Sequence, residues 1–79
     1  MHTEKQILDT GLRLMDTETG PKTPLEFQAC IAVFLTNRGH NGPRLVASHQ
    51  GAFLIALRAG FAVGEIADSA DVALELMSS

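Results

Sequence analysis

Helix start and stop signals divide this sequence into about four segments. Three stretches with helical spacing of apolar residues end at Gly20, Gly39 and Gly60, and glycine adopts the left-handed conformation that follows a helix at little steric cost. Two stretches open on matching capping boxes, Thr3-Glu4-Lys5-Gln6 and Thr23-Pro24-Leu25-Glu26, in which the threonine and the Gln or Glu side chains bond each other's backbone N–H groups. These signals predict an all-α fold, a small bundle of about four helices.

The spacing of the apolar residues sets the bounds of these helices at about residues 4–18, 24–38, 44–59 and 63–77. The second helix is apolar on most of its circumference, which is typical of a central helix. The third has an alternative, a β-hairpin at residues 44–57 that would make the fold α+β. We favour the helix because Ala and Leu dominate this segment, where Val, Ile and Thr would be expected of strands.

Three local features refine this arrangement. Gly11 lies between Leu8 and Leu12 in the first helix, where a residue without a side chain lets another helix come close. Residues 39–44 contain two glycines, an asparagine and a proline, which predicts a loop. The sequence at residues 59–61, Ala-Gly-Phe, fits a Schellman helix ending.

The chain is short for its apolar content. We expect one helical domain over residues 1–79, and a chain of this size buries only about 60% of its unfolded surface. Cys30 is the single cysteine, so no disulfide within the chain adds stability. Hydrophobic residues make up 46% of the sequence and charged residues only 19%. We therefore expect a homodimer that buries part of helices 24–38 and 44–59.

The composition also indicates a cytoplasmic protein without a membrane span. The longest apolar run, Ala29 to Leu35, is far shorter than the roughly 20 residues that a bilayer-spanning helix needs. The first residues lead into an amphipathic helix and lack the apolar central region of a signal peptide. A lone cysteine on an apolar stretch fits a reducing compartment.

Charge is unevenly distributed along the chain, whose net charge is −3. Residues 21–60 have a net charge of +3, and residues 61–79 have a net charge of −4. Either the two regions neutralise each other within the fold, or one of them is a surface for a partner of opposite charge. On the second interpretation, the candidate partner-binding residues are Arg38, His40, Asn41 and Arg44 in the loop and Glu65, Asp68, Asp71 and Glu75 on the last helix.

No pattern of reactive side chains indicates catalysis or metal binding. His40 and His49 are nine residues apart, and none of the usual Cys or His ligand pairs occurs. Ser48 and His49 are adjacent, and adjacent side chains on a helix point away from each other. We therefore expect no enzyme activity, no metal, no cofactor and no small-molecule substrate.

One segment resembles a DNA-binding motif. Residues 65–72 have apolar or small side chains at four positions, Ile66, Ala67, Ala70 and Val72. In this they resemble the first helix and turn of a helix-turn-helix unit, which implies a nucleic-acid-binding transcriptional regulator as the alternative function. However, Asp71 stands where the turn usually has glycine. Residues 73–79 contain no Arg or Lys, and these residues carry most of the affinity for phosphates.

Elimination therefore favours a small non-catalytic protein-binding module. We expect it to act as a regulator or inhibitor by occupying a surface of a macromolecular partner. Small acidic chains of this kind are often encoded by phages or mobile elements, and we expect such an origin here. Trp and Tyr are absent, so recognition would depend on Phe, Leu, Met and Arg.

Overall fold

The computed structural model describes residues 4–16 and 20–78. Within these ranges the chain forms five α-helices and no strand: α1 (Glu4–Met15), α2 (Pro24–Asn37), α3 (Gly42–Ser48), α4 (Gln50–Arg58) and α5 (Val63–Ser78). The all-α prediction is confirmed, and the alternative of a hairpin at residues 44–57 is wrong. The predicted helix at 44–59 is instead two helices, so the bundle has five helices rather than four.

The start of α2 is the capping box that the sequence predicts. The backbone N–H of Glu26 donates to Oγ1 of Thr23 at 3.2 Å, and the N–H of Thr23 donates to Oε1 of Glu26 at 3.0 Å. The same Oε1 also accepts from the N–H of Lys22 at 3.2 Å. The matching box at Thr3 lies outside the described residues, as do residues 17–18 of the predicted first helix.

Two of the three predicted glycine endings are confirmed, because α2 and α4 each run into a glycine with positive φ, at Gly39 and Gly60. Helix α1 ends at Met15, so Gly20 does not directly follow it. Gly20, Gly39 and Gly60 have φ of +62°, +90° and +94°. At Gly60 the N–H of Phe61 donates to the carbonyl of Ala56 at 3.2 Å, which is the long hydrogen bond of a Schellman ending. These three residues are the places where the described chain has positive φ, and each is a glycine.

The loop after α2 is shorter than residues 39–44. Helix α3 begins at Gly42, because Oδ1 of Asn41 accepts from the N–H of Arg44 at 3.3 Å and so caps the new helix. Pro43 fits the first turn, where no N–H is required. Gly42 lies directly against the backbone of α2, and a β-carbon there would overlap the carbonyl of Ala32. Turn-forming residues therefore start a helix here instead of extending a loop.

His49 separates α3 from α4. Its backbone, at φ −119° and ψ 28°, departs from helical geometry. The helical hydrogen bonds continue on both sides, since the His49 N–H donates to Leu45 and the His49 carbonyl accepts from Phe53. The imidazole meets the Phe53 ring edge to face, with 6.4 Å between ring centroids. The chain thus bends at His49 with little loss of backbone hydrogen bonding.

Helix α2 is the centre of the fold, as its sequence predicts. Ile31 and Leu35 are fully buried, and every other helix packs against α2. The core is completed by the buried side chains of Ala32, Val46, Phe53, Ile66 and Ala67. A single chain therefore buries most of α2, and the dimer expected at helices 24–38 and 44–59 stays a prediction. On α4, by contrast, Ile55 remains 70% exposed.

Helices α1 and α2 approach closely at Gly11, as the sequence predicts. Gly11 is buried, and a β-carbon built there would lie 2.6 Å from Cγ2 of Val33. It would come nearer still to the carbonyl oxygen of Ala29. As for membranes, none of the helices within residues 4–16 and 20–78 has the length and apolar content needed to cross one.

Candidate functional site

Four of the predicted partner-binding residues form one ionic cluster within the chain. Arg38, in the turn after α2, forms an ion pair with Asp68 on α5. Asp71 lies one turn further along α5, with Oδ2 3.9 Å from Nε of Arg38 and Oδ1 2.6 Å from Nε2 of His40. The guanidinium of Arg38 also lies over the Phe34 ring, 5.9 Å from its centroid. This cluster, Arg38–His40–Asp68–Asp71, joins the end of α2 to the middle of α5.

The remaining four predicted residues are separate from this cluster. Asn41 caps α3, as described above, and Oε1 of Glu65 accepts from the N–H of Ala62 at 3.1 Å at the start of α5. Among the described residues, Arg44 and Glu75 take part in no ion pair. The eight residues are thus divided between an ionic cluster, two helix starts and two unpaired charges.

The cluster supports the first interpretation of the charge pattern, in which the basic middle and the acidic end neutralise each other. Asp71 and His40 each have 23% of the side chain exposed, so both are already engaged when the chain is folded. Reversing the charges of Asp68 and Asp71 would disrupt this cluster, and loss of binding in such a variant would not identify a partner surface. The acidic face of α5 is therefore a weak candidate for the functional site.

The strongest candidate is an apolar trench between α4 and α5. It consists of two adjoining hollows of about 180 Å³ and 300 Å³ that share Phe53 and Ala70. We define the α4–α5 trench by its lining residues: Leu35, Leu45, His49, Ala52, Phe53, Ala56, Phe61, Glu65, Ile66, Ser69, Ala70, Ala73, Leu74 and Met77.

Short side chains explain why this space stays open. Helices pack with their axes 8–10 Å apart, and the gap is filled by the side chains at the contact. Here the facing positions are Ala52 and Ala56 on α4 and Ala70 and Ala73 on α5, which cannot fill it. Large apolar side chains stand at the two ends, with Phe61 54% exposed and Met77 81% exposed. The site was not predicted from the sequence, because alanines carry no charged or polar group that would indicate a binding site.

The trench has few groups that could do chemistry. Its polar lining is limited to His49, Glu65 and Ser69. Within the described ranges, no group of three His, Cys, Asp or Glu side chains could hold a metal ion. Cys30 lies elsewhere, on buried α2, and burial raises the pKa of its thiol. The trench is therefore suited to binding apolar side chains.

The segment that resembles a helix-turn-helix unit has no turn. Helix α5 continues without interruption through Asp68, Ser69 and Asp71 to Ser78. The residues that resemble the motif also serve the core, where Ile66 and Ala67 are buried. The spacing of small and apolar residues in this segment reflects the packing of α5 on α2.

Comparison with other proteins identifies no relative of this chain. No protein-family model matches the chain, and the searches of curated proteins and of solved structures give no significant match.

Proposed function

We propose that this protein is a non-catalytic protein-binding module whose binding site is the α4–α5 trench. In such a module, an amphipathic helix of another protein lays its apolar face into the trench, which is a common mode of peptide recognition. The module acts as a regulator or inhibitor by masking that helix. The observation that carries the proposal is an open groove with a mainly apolar lining between α4 and α5, beside a core that is buried around α2.

The dimensions of the trench support a helical occupant. It follows α5 from Glu65 to Met77, a distance of roughly 18 Å at 1.5 Å per helical residue. A helix of about 12 residues has this length. The alanines on both walls allow the backbone of the occupant to come close, while Phe61 and Met77 can close over its ends.

The energetics also favour an apolar occupant. Burying apolar surface stabilises a complex by about 25 cal/mol per Å² before the costs of association are subtracted. Phe61 and Met77 are exposed in the free chain. Covering them with an apolar partner therefore removes the unfavourable contact of these side chains with water. Since the neighbouring charges of the ionic cluster are paired within the fold, binding in the trench breaks no ion pair.

Affinity capture with two matched variants tests this function. Ala73→Glu introduces a charged side chain into the trench at an exposed position, and Leu12→Glu introduces the same side chain at an exposed position on α1, which does not touch α4 or α5. We expect a protein captured from native cells by the wild type and by Leu12→Glu to be lost with Ala73→Glu. Retention of the same protein by Ala73→Glu would contradict the proposal.

We further propose that the chain forms a cytoplasmic homodimer through apolar residues outside the trench. Ile55 on α4 and Val72 and Leu76 on α5 are 70%, 55% and 72% exposed, and exposed apolar surface favours association. Light scattering should give two chains per particle for the wild type and one for the Val72→Glu, Leu76→Glu double variant. One chain per particle for the wild type at micromolar concentration would contradict the dimer.

A further inference from the structure

Arg44 lies beside the half of the α4–α5 trench that is lined by Leu45, His49 and Leu74, away from Glu65, and it has no ion-pair partner among the described residues. A third hollow, of about 400 Å³, is lined by Arg44 and shares Leu45, His49 and Leu74 with the trench. Arg44 is exposed, and among the described residues no carboxylate lies within ion-pair distance of it. Arg38 differs from Arg44 in this respect, because its guanidinium forms ion pairs with Asp68 and Asp71.

Two other polar side chains around this hollow already have hydrogen-bond partners within the chain. His40 is bonded to Asp71, and Asn41 caps α3. Arg44 is thus the one cation at this end of the trench that is available to a ligand among the described residues. Guanidinium groups bind carboxylates through two parallel hydrogen bonds, which fixes orientation as well as adding affinity.

The opposite end of the trench has the opposite charge. Glu65 lines the hollow next to Phe61, and it repels a carboxylate placed there. A helix lying in the trench therefore has one end near a cation and the other near an anion. Complementary charges at the edge of an apolar interface select the partner and set its orientation.

We infer that the occupant of the α4–α5 trench is an amphipathic helix with a carboxylate at the end that reaches Arg44. This inference rests on the proposed function, because it specifies the partner of the same trench. It excludes a basic helix, and it excludes the orientation that places the acidic end beside Glu65.

Three labelled peptides test the inference. Each is a hydrocarbon-stapled, 12-residue helix of Ala and Gln with Leu along one face, matched to the length of the trench by the rise of about 1.5 Å per residue. The first has a pair of glutamates at its N-terminal end, the second has the pair at its C-terminal end, and the third has glutamines at both ends. Fluorescence anisotropy gives the Kd of each for the wild type, Arg44→Gln and Arg58→Gln.

Arg58→Gln is the matched control. Arg58 lies in the last turn of α4 and is exposed, and it lines neither the trench nor the hollow beside Arg44. Both variants remove one positive charge, so a difference between them reports the position of the charge and not the net charge of the protein. Comparing the gain of each acidic peptide between the protein variants also cancels any effect of the glutamates on the peptide's own helicity.

We expect one of the two acidic peptides to bind the wild type about threefold more tightly than the neutral peptide, as a solvent-exposed ion pair does. Arg44→Gln should abolish this gain and Arg58→Gln should preserve it. The gain should also shrink at high salt, where exposed charges are screened. The other acidic peptide, with its glutamates beside Glu65, should show no gain.

Equal binding of all three peptides, or a gain that survives Arg44→Gln, would contradict the inference and leave the proposed function standing. If no peptide binds, both are wrong. A dimer in light scattering that becomes a monomer with Ala73→Glu would mean that a second copy occupies the trench, which also contradicts a separate acidic partner.

Discussion

The imidazole of His40 lies 2.6 Å from the carboxylate of Asp71, 31 residues further along the chain. This contact and the ion pair between Arg38 and Asp68 hold α5 against the end of α2. The central helix and the helix that forms one wall of the trench are thus joined by charge as well as by apolar packing. We expect this contact to stabilise the fold and to help hold α5 in place beside the trench.

The first prediction concerns Asp71. Asp71→Asn removes the carboxylate that both His40 and Arg38 face, so we expect the free energy of unfolding to fall by about 1 kcal/mol. Glu75→Gln removes the same charge from α5, where no ion pair is lost, and should change stability by less than about 0.5 kcal/mol. Urea unfolding of both variants measures the difference. An equal loss of stability in the two variants would contradict a stabilising role for the ionic cluster.

The second prediction concerns the contact between α1 and α2. Gly11→Ala places a methyl group against the carbonyl of Ala29, and the two helices must separate to accommodate it. We expect a loss of about 1–3 kcal/mol, which is typical of overpacking. Gly51→Ala in α4 is the control, because a β-carbon there meets nothing within 4 Å. Thermal unfolding should show a lower Tm for Gly11→Ala and an unchanged or higher Tm for Gly51→Ala.

The third prediction concerns pH. The backbone N–H groups of Thr23 and Lys22 bond the Glu26 carboxylate and hold its pKa below its usual range. The folded chain therefore binds this proton less readily than the unfolded chain. The resulting stabilisation is present above the ordinary Glu pKa of about 4.3 and is lost as the pH falls through the folded-state pKa.

Glu26→Gln should accordingly weaken the dependence of stability on pH in the acid range. Urea unfolding between about pH 5 and pH 3 gives this dependence for the wild type, for Glu26→Gln and for Glu75→Gln. We expect the wild type and Glu75→Gln to lose stability at the same rate as the pH falls, and Glu26→Gln to lose it more slowly. An identical slope in all three would contradict a capping role for the ionised Glu26.

The parts of the fold that follow from local chemistry could be predicted from the sequence. Thr23 and Glu26 are three residues apart and form their capping box without help from the rest of the chain. Gly39 and Gly60 end helices because of their own backbone freedom. The bend at His49 was not predicted, because no turn former stands there and the hydrogen bonds on both sides remain helical.

The candidate site depends on contacts between distant residues, and the sequence gives only part of it. The charge pattern predicts that Arg38 and Asp68 could attract each other, but only the folded chain shows that they pair. The trench depends on how α4 and α5 lie across α2. Alanines at residues 52, 56, 70 and 73 fit two closely packed helices as well as two helices with a groove between them. Only the arrangement of the helices shows that there is a groove.

The central claim is that the α4–α5 trench binds a helix, and an NMR titration tests it most directly. The neutral stapled peptide is added to ¹⁵N-labelled protein, and the shift of each backbone amide is followed. We predict that the largest shifts occur at the trench-lining residues of α4 and α5, with α1 unaffected. Shifts concentrated on α1, or no shift at peptide concentrations of about 1 mM, would contradict the claim.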